Sequence, residues 1–302
     1  MTSQSVTRRF KQNIPLFIML APVLLFYIVF RYLPMAGLVI AFKNYNFTDG
    51  ILHSPWVGLQ YFEWIFTNSQ TLSIIRNTLT LSLLTVIVSF PFPIMLAILL
   101  NEARKMWFKR AVQTLVYLPH FFSWVIVGGI VVTIFSQQSG MINHMLERWL
   151  GEPYPFLYDE TSWIAIFLGS GVWKEAGFSA IIYLAALSTI DSSLYEASSL
   201  DGAGKFRQIW HVTLPGIRST IILLLILSMG QVMEVGFDKV FVLQNNAVAN
   251  VSEVISTYIY KTGLQSGQFS LAAAVGFFES IVGLVLIVTA NRIARRFDQQ
   301  LW

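Results

Sequence analysis

Six stretches of this chain are long and apolar enough to cross a bilayer, and nothing else in the sequence constrains its fold as tightly. A helix needs roughly 20 mainly apolar residues to span about 30 Å of hydrocarbon. Such segments are expected at Ile14 to Phe42, Asn77 to Leu100, Ala111 to Phe135, Ser162 to Ile190, Ser219 to Phe237 and Ser270 to Ala290. In lipid each backbone polar group must be satisfied within the protein, so helices are the expected spanning form. The composition agrees: 55% of the 302 residues are hydrophobic and 12% charged, about half the usual charged share of a soluble domain. The expected class is therefore an all-α integral membrane protein with six transmembrane helices in a single domain, residues 1–302. Arg8, Arg9 and Lys11 precede the first apolar run as they would in a signal peptide. That run continues far past the length of a signal's apolar core and shows no small-residue cleavage site, so it reads as a retained span.

The basic residues set the expected orientation, because Lys and Arg concentrate in cytoplasmic loops. They cluster at the N-terminus (Arg8, Arg9, Lys11), at Arg104, Lys105, Lys109 and Arg110, at Lys205, Arg207 and Arg218, and at Arg292, Arg295 and Arg296. The alternate loops hold only Lys43, Arg76, Arg148, Lys239 and Lys261. Both termini and the 191–218 loop are therefore expected on the cytoplasmic side, with Trp56, Trp64 and Trp149 anchoring the outer segments at the interface. The net charge of +4 flanks apolar runs and forms no basic, aromatic-interleaved patch, which argues against nucleic acid. Cysteine is absent and the four histidines show no metal-ligand spacing, so no metal site is expected.

One polar stretch interrupts this pattern: "LYEASSLDGAGKFRQIWHVTLPGI", residues 194–217. Ser193 and Glu196 have capping-box spacing, predicting a short helix. Gly202 and Gly204 permit a sharp bend. "KFRQIWHV" then predicts a second short helix with Phe206, Ile209 and Trp210 on one side, and Leu214-Pro215 leads into the fifth span. A bent helix pair of this kind suits docking into another protein's groove, or lies on the headgroups. "GAGK" at 202–205 is not a phosphate loop, since Phe206 stands where Ser or Thr is required and Ser199 where the first glycine belongs.

The stretch resembles the cytoplasmic motif of permeases of ATP-binding-cassette importers: Glu-Ala-Ala, three residues, Gly, nine residues, Ile-x-Leu-Pro. Here it reads Glu196-Ala197-Ser198, Gly202, then Val212-Thr213-Leu214-Pro215, with Ser198 for alanine and Val212 for isoleucine. The resemblance runs along nearly the whole chain to the LplB-like and MalF-like carbohydrate branch, through "FRYLPMAGLVIAFKNYN", "LLNEARKMWFKRAVQTLVYLPHFFSWVIVGGI", "DGAGKF" and "NRIARRF". It implies a type I ABC importer permease fold whose coupling helices, about 193–213, seat in an ATPase through Glu196, Ala197, Ser198, Asp201, Gly202, Ala203, Leu214 and Pro215. It further implies half of an oligosaccharide or polysaccharide import pathway. The expected partners are a second homologous permease in a heterodimer, two nucleotide-binding ATPase subunits, an extracytoplasmic solute-binding protein and membrane lipids. No cofactor is expected on this chain, ATP and Mg residing in the ATPase, and it is not expected to be an enzyme. An importer permease for a non-carbohydrate solute is the alternative. A membrane enzyme acting on lipid or glycan is remote, because Asp159 and Glu160 adjoin without a nucleophile constellation.

For the substrate pathway, ionisable groups inside spans are the first candidates, because charge in hydrocarbon is costly. These are Lys174, Glu175, Glu234 and Glu279, with Arg31 in the first span; Trp173, Gln231, Phe121, Phe122 and Trp124 lie at similar depth and could meet sugar faces and hydroxyls. The plainer reading is a structural ion pair, Lys174 with Glu234 or Glu279, and aromatic packing. Pro91, Pro93 and Pro119 predict irregular backbone in the second and third spans. His120, beside that irregularity, is expected to bond a freed carbonyl rather than relay a proton.

Overall fold

The computed structural model describes residues 13–230 and 232–295. Arg8, Arg9, Lys11, Gln231 and Arg296 therefore lie outside the described residues. Among the described residues there is no strand, only an isolated bridge between Lys43 and Trp56. Ten helices carry the argument: α1 Ile14–Phe42, α2 Ser69–Glu102, α3 Met106–Phe121, α4 Trp124–Phe135, α5 Glu160–Leu187, α6 Ser192–Leu200, α7 Lys205–Gly216, α8 Arg218–Gly230, α9 Phe237–Leu243 and α10 Phe269–Arg295.

Of these, α1, α2 and α10 are each long and apolar enough to span a membrane alone. Three further apolar segments meet the same length and composition only together with a neighbouring helix set at a sharp angle: α3 with α4 at 105°, α5 with α6 at 77°, and α7 with α8 at 63°. The expected third span is thus not one rod. Pro119 removes a helical donor, the chain tightens into a 3-10 turn at Leu118–Phe121, and Phe122 and Ser123 are extended before Ser123 caps α4 by accepting from the Ile126 N–H. Pro91 and Pro93 perturb far less: Phe90 before them keeps helical dihedrals, φ −66° and ψ −39°, and α2 continues through. The fifth span also departs from expectation, since α8 stops at Gly230 and the chain breaks before α9 rather than running to Phe237. Gly230 lies so close to α10 that a Cβ there would sit 2.8 Å from Ile287, and Gly236 at φ +88° turns the chain into α9.

Three apolar clusters hold the bundle. Trp163, Phe167, Leu81, Val127 and Val240 join α5, α2, α4 and α9; Ile65, Ile74, Ile255 and Val275 form the second; Ala97, Ile98, Ala180, Tyr183, Leu187 and Ile217 join α2, α5 and the start of α8. At one end of the bundle, loop backbone is paired with buried polar side chains. Trp163 Nε1 donates to the Leu243 carbonyl at 2.8 Å, Asn245 Nδ2 to Leu157 at 2.7 Å, and Asn77 Nδ2 to Asn250 at 2.7 Å and Glu253 at 3.2 Å. Asp159 caps α5 there, and the Ser162 backbone N–H holds its carboxyl below the ordinary range.

Candidate functional site: a helical elbow and a hydroxyl-lined cavity

At the opposite end of the bundle, α6 and α7 form an elbow that gathers every residue expected to couple to a partner. Its N-cap is Asp191, whose side chain accepts from the Ser193 N–H at 2.9 Å. The capping box expected from Ser193 and Glu196 is therefore not the device used, because Ser193 already lies inside α6 and the carboxylate two residues upstream reaches its N–H first. That hydrogen bond holds the Asp191 carboxyl below its ordinary range, so the cap is ionised at neutral pH. The helix closes at Gly202, φ +77°, where the Asp201, Gly202 and Ala203 N–H groups return to Ala197, Ser199 and Ser198. Gly204 has φ −71°, so only Gly202 uses its freedom from a side chain at this bend.

Gln208, buried in the crook, was not singled out by the sequence. Its Nε2 donates to Ser199 Oγ at 2.8 Å and Ser198 Oγ at 3.0 Å, reaching the Tyr195 carbonyl at 3.4 Å. Tyr195 OH meets Thr213 Oγ1 at 3.1 Å, and Lys205 Nζ pairs with Glu102 Oε2 at 2.8 Å, tying the elbow to the end of α2. Ser198, the departure from the family's alanine, thus has a partner at Gln208. Leu214 packs on the third apolar cluster while Glu196, Ala197, Asp201 and Pro215 face outward. Phe206 and Trp210 are exposed, 80% and 61%, as is Leu200, but Ile209 turns inward onto the same cluster as Leu214. The expectation of three aromatic and aliphatic side chains on one face is corrected to two, because Gln208 and Ile209 together form the inner face of α7. Gln208→Leu removes the bonds that close the crook, each worth about 1 kcal/mol. Backbone hydrogen exchange over residues 192–216 is expected to accelerate with α2 and α5 unchanged; unchanged protection in the elbow would show that Gln208 does not hold it.

Between α2, α5 and α8 lies a cavity of ≈ 390 Å³. Ser82, Thr85, Ser89, Ser179 and Ser228 line it together with Glu175 and Glu234, although the Ser82 Oγ and Thr85 Oγ1 atoms are themselves closed off within the bundle. On α5 the lining residues Gly171, Glu175, Ser179 and Tyr183 recur at every fourth position, the spacing of one helix face. Two of the expected pathway residues therefore reach the cavity. Glu279 of α10 stands within electrostatic range of Glu234. Trp173 instead lines a separate apolar crevice with Ile130, Phe135 and Phe156, and Phe121 is exposed against His120 and Phe178. Phe122 packs on the first cluster, and Arg31 is exposed on α1.

The buried ammonium of Lys174 does not pair with Glu234 or Glu279. It bonds its chain neighbour Glu175 at 2.8 Å and the His120 carbonyl at 3.0 Å, 5.5 Å from the Trp124 ring centre. His120 is also corrected: its Nδ1 lies 2.7 Å from Glu175 Oε2 and its ring stacks on Phe178 at 3.9 Å, so it meets a carboxylate rather than a carbonyl. The bend between α3 and α4 gives the physical reason, since it leaves the His120 carbonyl outside the helical ladder and Lys174 takes it. A second buried lysine, Lys239 of α9, has its Nζ 3.6 Å from the Phe167 ring centre and 5.4 Å from that of Trp124; by sequence alone it is expected in a loop.

The family described as "Binding-protein-dependent transport system inner membrane component" matches residues 89–302. Protein LplB of Bacillus subtilis (strain 168) is 45% identical over 285 residues, covering 94% of this chain and 90% of its own. The polygalacturonan/rhamnogalacturonan transport system permease protein YteP of the same organism is also 45% identical, covering 94% of this chain and 89% of its own. Among solved structures, a bacterial alginate ABC transporter in complex with an alginate pentasaccharide-bound periplasmic protein superposes with a TM-score of 0.89 at 40% identity, covering 97% of this chain and 98% of that one.

Proposed function

The chain belongs to the binding-protein-dependent transport system inner membrane component family, and on that premise we propose that it forms half of an import pathway for oligosaccharides released from acidic polysaccharides. It is a permease of an ABC transporter and not an enzyme; ATP hydrolysis belongs to a partner subunit. The proposed assembly adds a second, homologous permease, two ATPase subunits that hold ATP and Mg, and a solute-binding protein on the other side of the membrane. Both termini and the elbow face the cytoplasm. Glu196, Ala197, Ser198, Asp201, Gly202, Ala203, Leu214 and Pro215 present the elbow to the ATPase; Glu175 and Glu234 face substrate in the cavity.

The observation that carries this reading is the elbow's continuity with the cavity wall. The helix α7 is locked to α6 by Gln208 and Tyr195 and passes through Gly216 and a 63° bend into α8, whose Leu224, Leu227 and Ser228 line the cavity. A partner that moves the exposed face of the elbow moves that wall as well. Closure of an ATPase dimer would then open and shut the cavity to alternate sides. Co-purification with the second permease and the ATPase, followed by ATP hydrolysis with empty and with loaded binding protein, tests it. Hydrolysis stimulated by the loaded protein is expected. Stimulation by an amino acid-loaded or empty protein, but by no oligosaccharide, would remove the carbohydrate assignment and leave the permease.

A further inference from the structure

Just beyond α4 the chain folds back into a short helix, Met141–Leu150, that takes no part in the elbow or the cavity and ends at Gly151, φ +83°. Asn143 pins its inner face. The amide Nδ2 donates to the Ser136 carbonyl at 3.0 Å and the Tyr154 carbonyl at 2.9 Å, while Oδ1 accepts from the Tyr154 N–H at 2.8 Å. With Asn143 held inward, the positions on the opposite side of the helix are fixed outward. Met141, Met145 and Trp149 recur there at i, i+4 and i+8, all exposed, Trp149 to 84%. His144 and Arg148, also one turn apart, lie exposed beside them. A lone exposed apolar side chain is ordinary, but three in register with two basic ones make an amphipathic surface.

These five side chains and Thr133 of α4 line one hollow of ≈ 430 Å³. Thr133 sets the hollow on the flank of α4 rather than past its end, and its own hydroxyl is satisfied by the Gly129 carbonyl at 2.8 Å. The same flank continues along α4 as Val125, Ile126 and Val132, exposed and apolar, on a segment that with α3 is long enough to cross a membrane. Lipid tails cover such a flank, so the hollow stands at the depth where headgroups begin. Its charge is complementary. Among the described residues Arg148 forms no ion pair, although Glu147 precedes it and Glu152 follows the helix, and no carboxylate lines the hollow to receive the ammonium of a zwitterionic lipid. A guanidinium fork matches two oxygens of a phosphate, and His144 offers a ring nitrogen from the same side. We propose that this hollow binds the phosphate of an anionic phospholipid through Arg148 and His144, with the acyl chains lying along Val125, Ile126 and Val132 and with Met145 and Trp149 packed where head and tail join.

The site is independent of which solute the chain carries, and its test needs no transport. The full chain is reconstituted in phosphatidylcholine vesicles with a trace of phosphatidylglycerol bearing a photoactivatable diazirine on its acyl chain, and the cross-linked peptides are mapped by mass spectrometry. Label is expected over residues 125–133 and 141–149. Unlabelled phosphatidylglycerol is expected to remove it, whereas inorganic phosphate is not. R148Q changes an exposed side chain and is expected to lower label at these residues about tenfold relative to label elsewhere on the same chain, the worth of one charge-assisted hydrogen bond. That ratio controls for folding and for reconstitution. Equal label from a phosphatidylcholine probe of the same chain length, or label unchanged in R148Q, overturns the site and leaves an ordinary lipid-facing surface. Removal by inorganic phosphate overturns it by making the ligand a free anion. Removal by added solute-binding protein overturns it by making the helix a protein-docking face.

Discussion

A transporter carrying Gly177→Ala is expected to lose about 3 kcal/mol or more of stability, at or beyond the upper end of ordinary overpacking. Gly177 sits where α5 crosses α3, and a Cβ there would run into the Val116 carbonyl oxygen and carbon. Those atoms are backbone, so no side-chain rotation relieves the contact. The two helices would have to move apart, and close approach at small residues is one source of cohesion between helices in lipid. The same crossing brings His120 to Glu175 and Lys174, so separation also loosens that ion pair. Yield of folded protein in mild detergent and its thermal unfolding midpoint measure the effect. A midpoint equal to that of the unsubstituted chain would mean that α3 and α5 are not in contact at this point.

The second large effect is expected at Gly202, by a different route. Gly202 is exposed and a Cβ there would have nothing within 4 Å, so the side chain of Gly202→Trp starts in open space. Its φ of +77° nonetheless disfavours any side chain, by on the order of 1–2 kcal/mol. The folded subunit should survive that cost. Uptake should not, because the indole would stand on the tip of the elbow where the ATPase is proposed to seat. Uptake is expected to fall to background while ATP hydrolysis no longer responds to loaded binding protein. Gly202→Asn supplies the control, since asparagine tolerates this backbone conformation and is small. Full uptake by Gly202→Trp would detach the elbow's tip from the mechanism, and loss in Gly202→Asn as complete as in Gly202→Trp would point to the bend rather than the surface.

The six apolar segments could be placed from composition and length alone, because the bilayer sets both and each residue contributes independently. Their straightness could not. Pro119 and Pro91 look alike in sequence, yet one sits at a 105° break and the other in a helix that continues, since the difference lies in what neighbouring helices offer the freed backbone groups. The bent helix pair at 192–216 was legible because its glycine bend and Leu-Pro step are a local pattern with fixed spacing. Gln208 was not, for its role depends on Ser198 and Ser199 being brought opposite it by the bend. Partners for buried charges were misjudged for a related reason. Counting depth along the spans put Lys174 level with Glu234 and Glu279, but adjacent Glu175 was nearer than any residue on another helix.

The first helix has a consequence of its own. Over the most apolar stretch of α1 none of the residues is buried within the chain, whereas its far end is fixed by Ala41 in the second cluster and by Phe42 stacked on Trp56. It is a mast stepped at its foot and unstayed along its height. Its tilt is therefore chosen by whatever stands alongside, lipid tails or a neighbouring subunit, and the lone polypeptide carries an angle that only its surroundings can set.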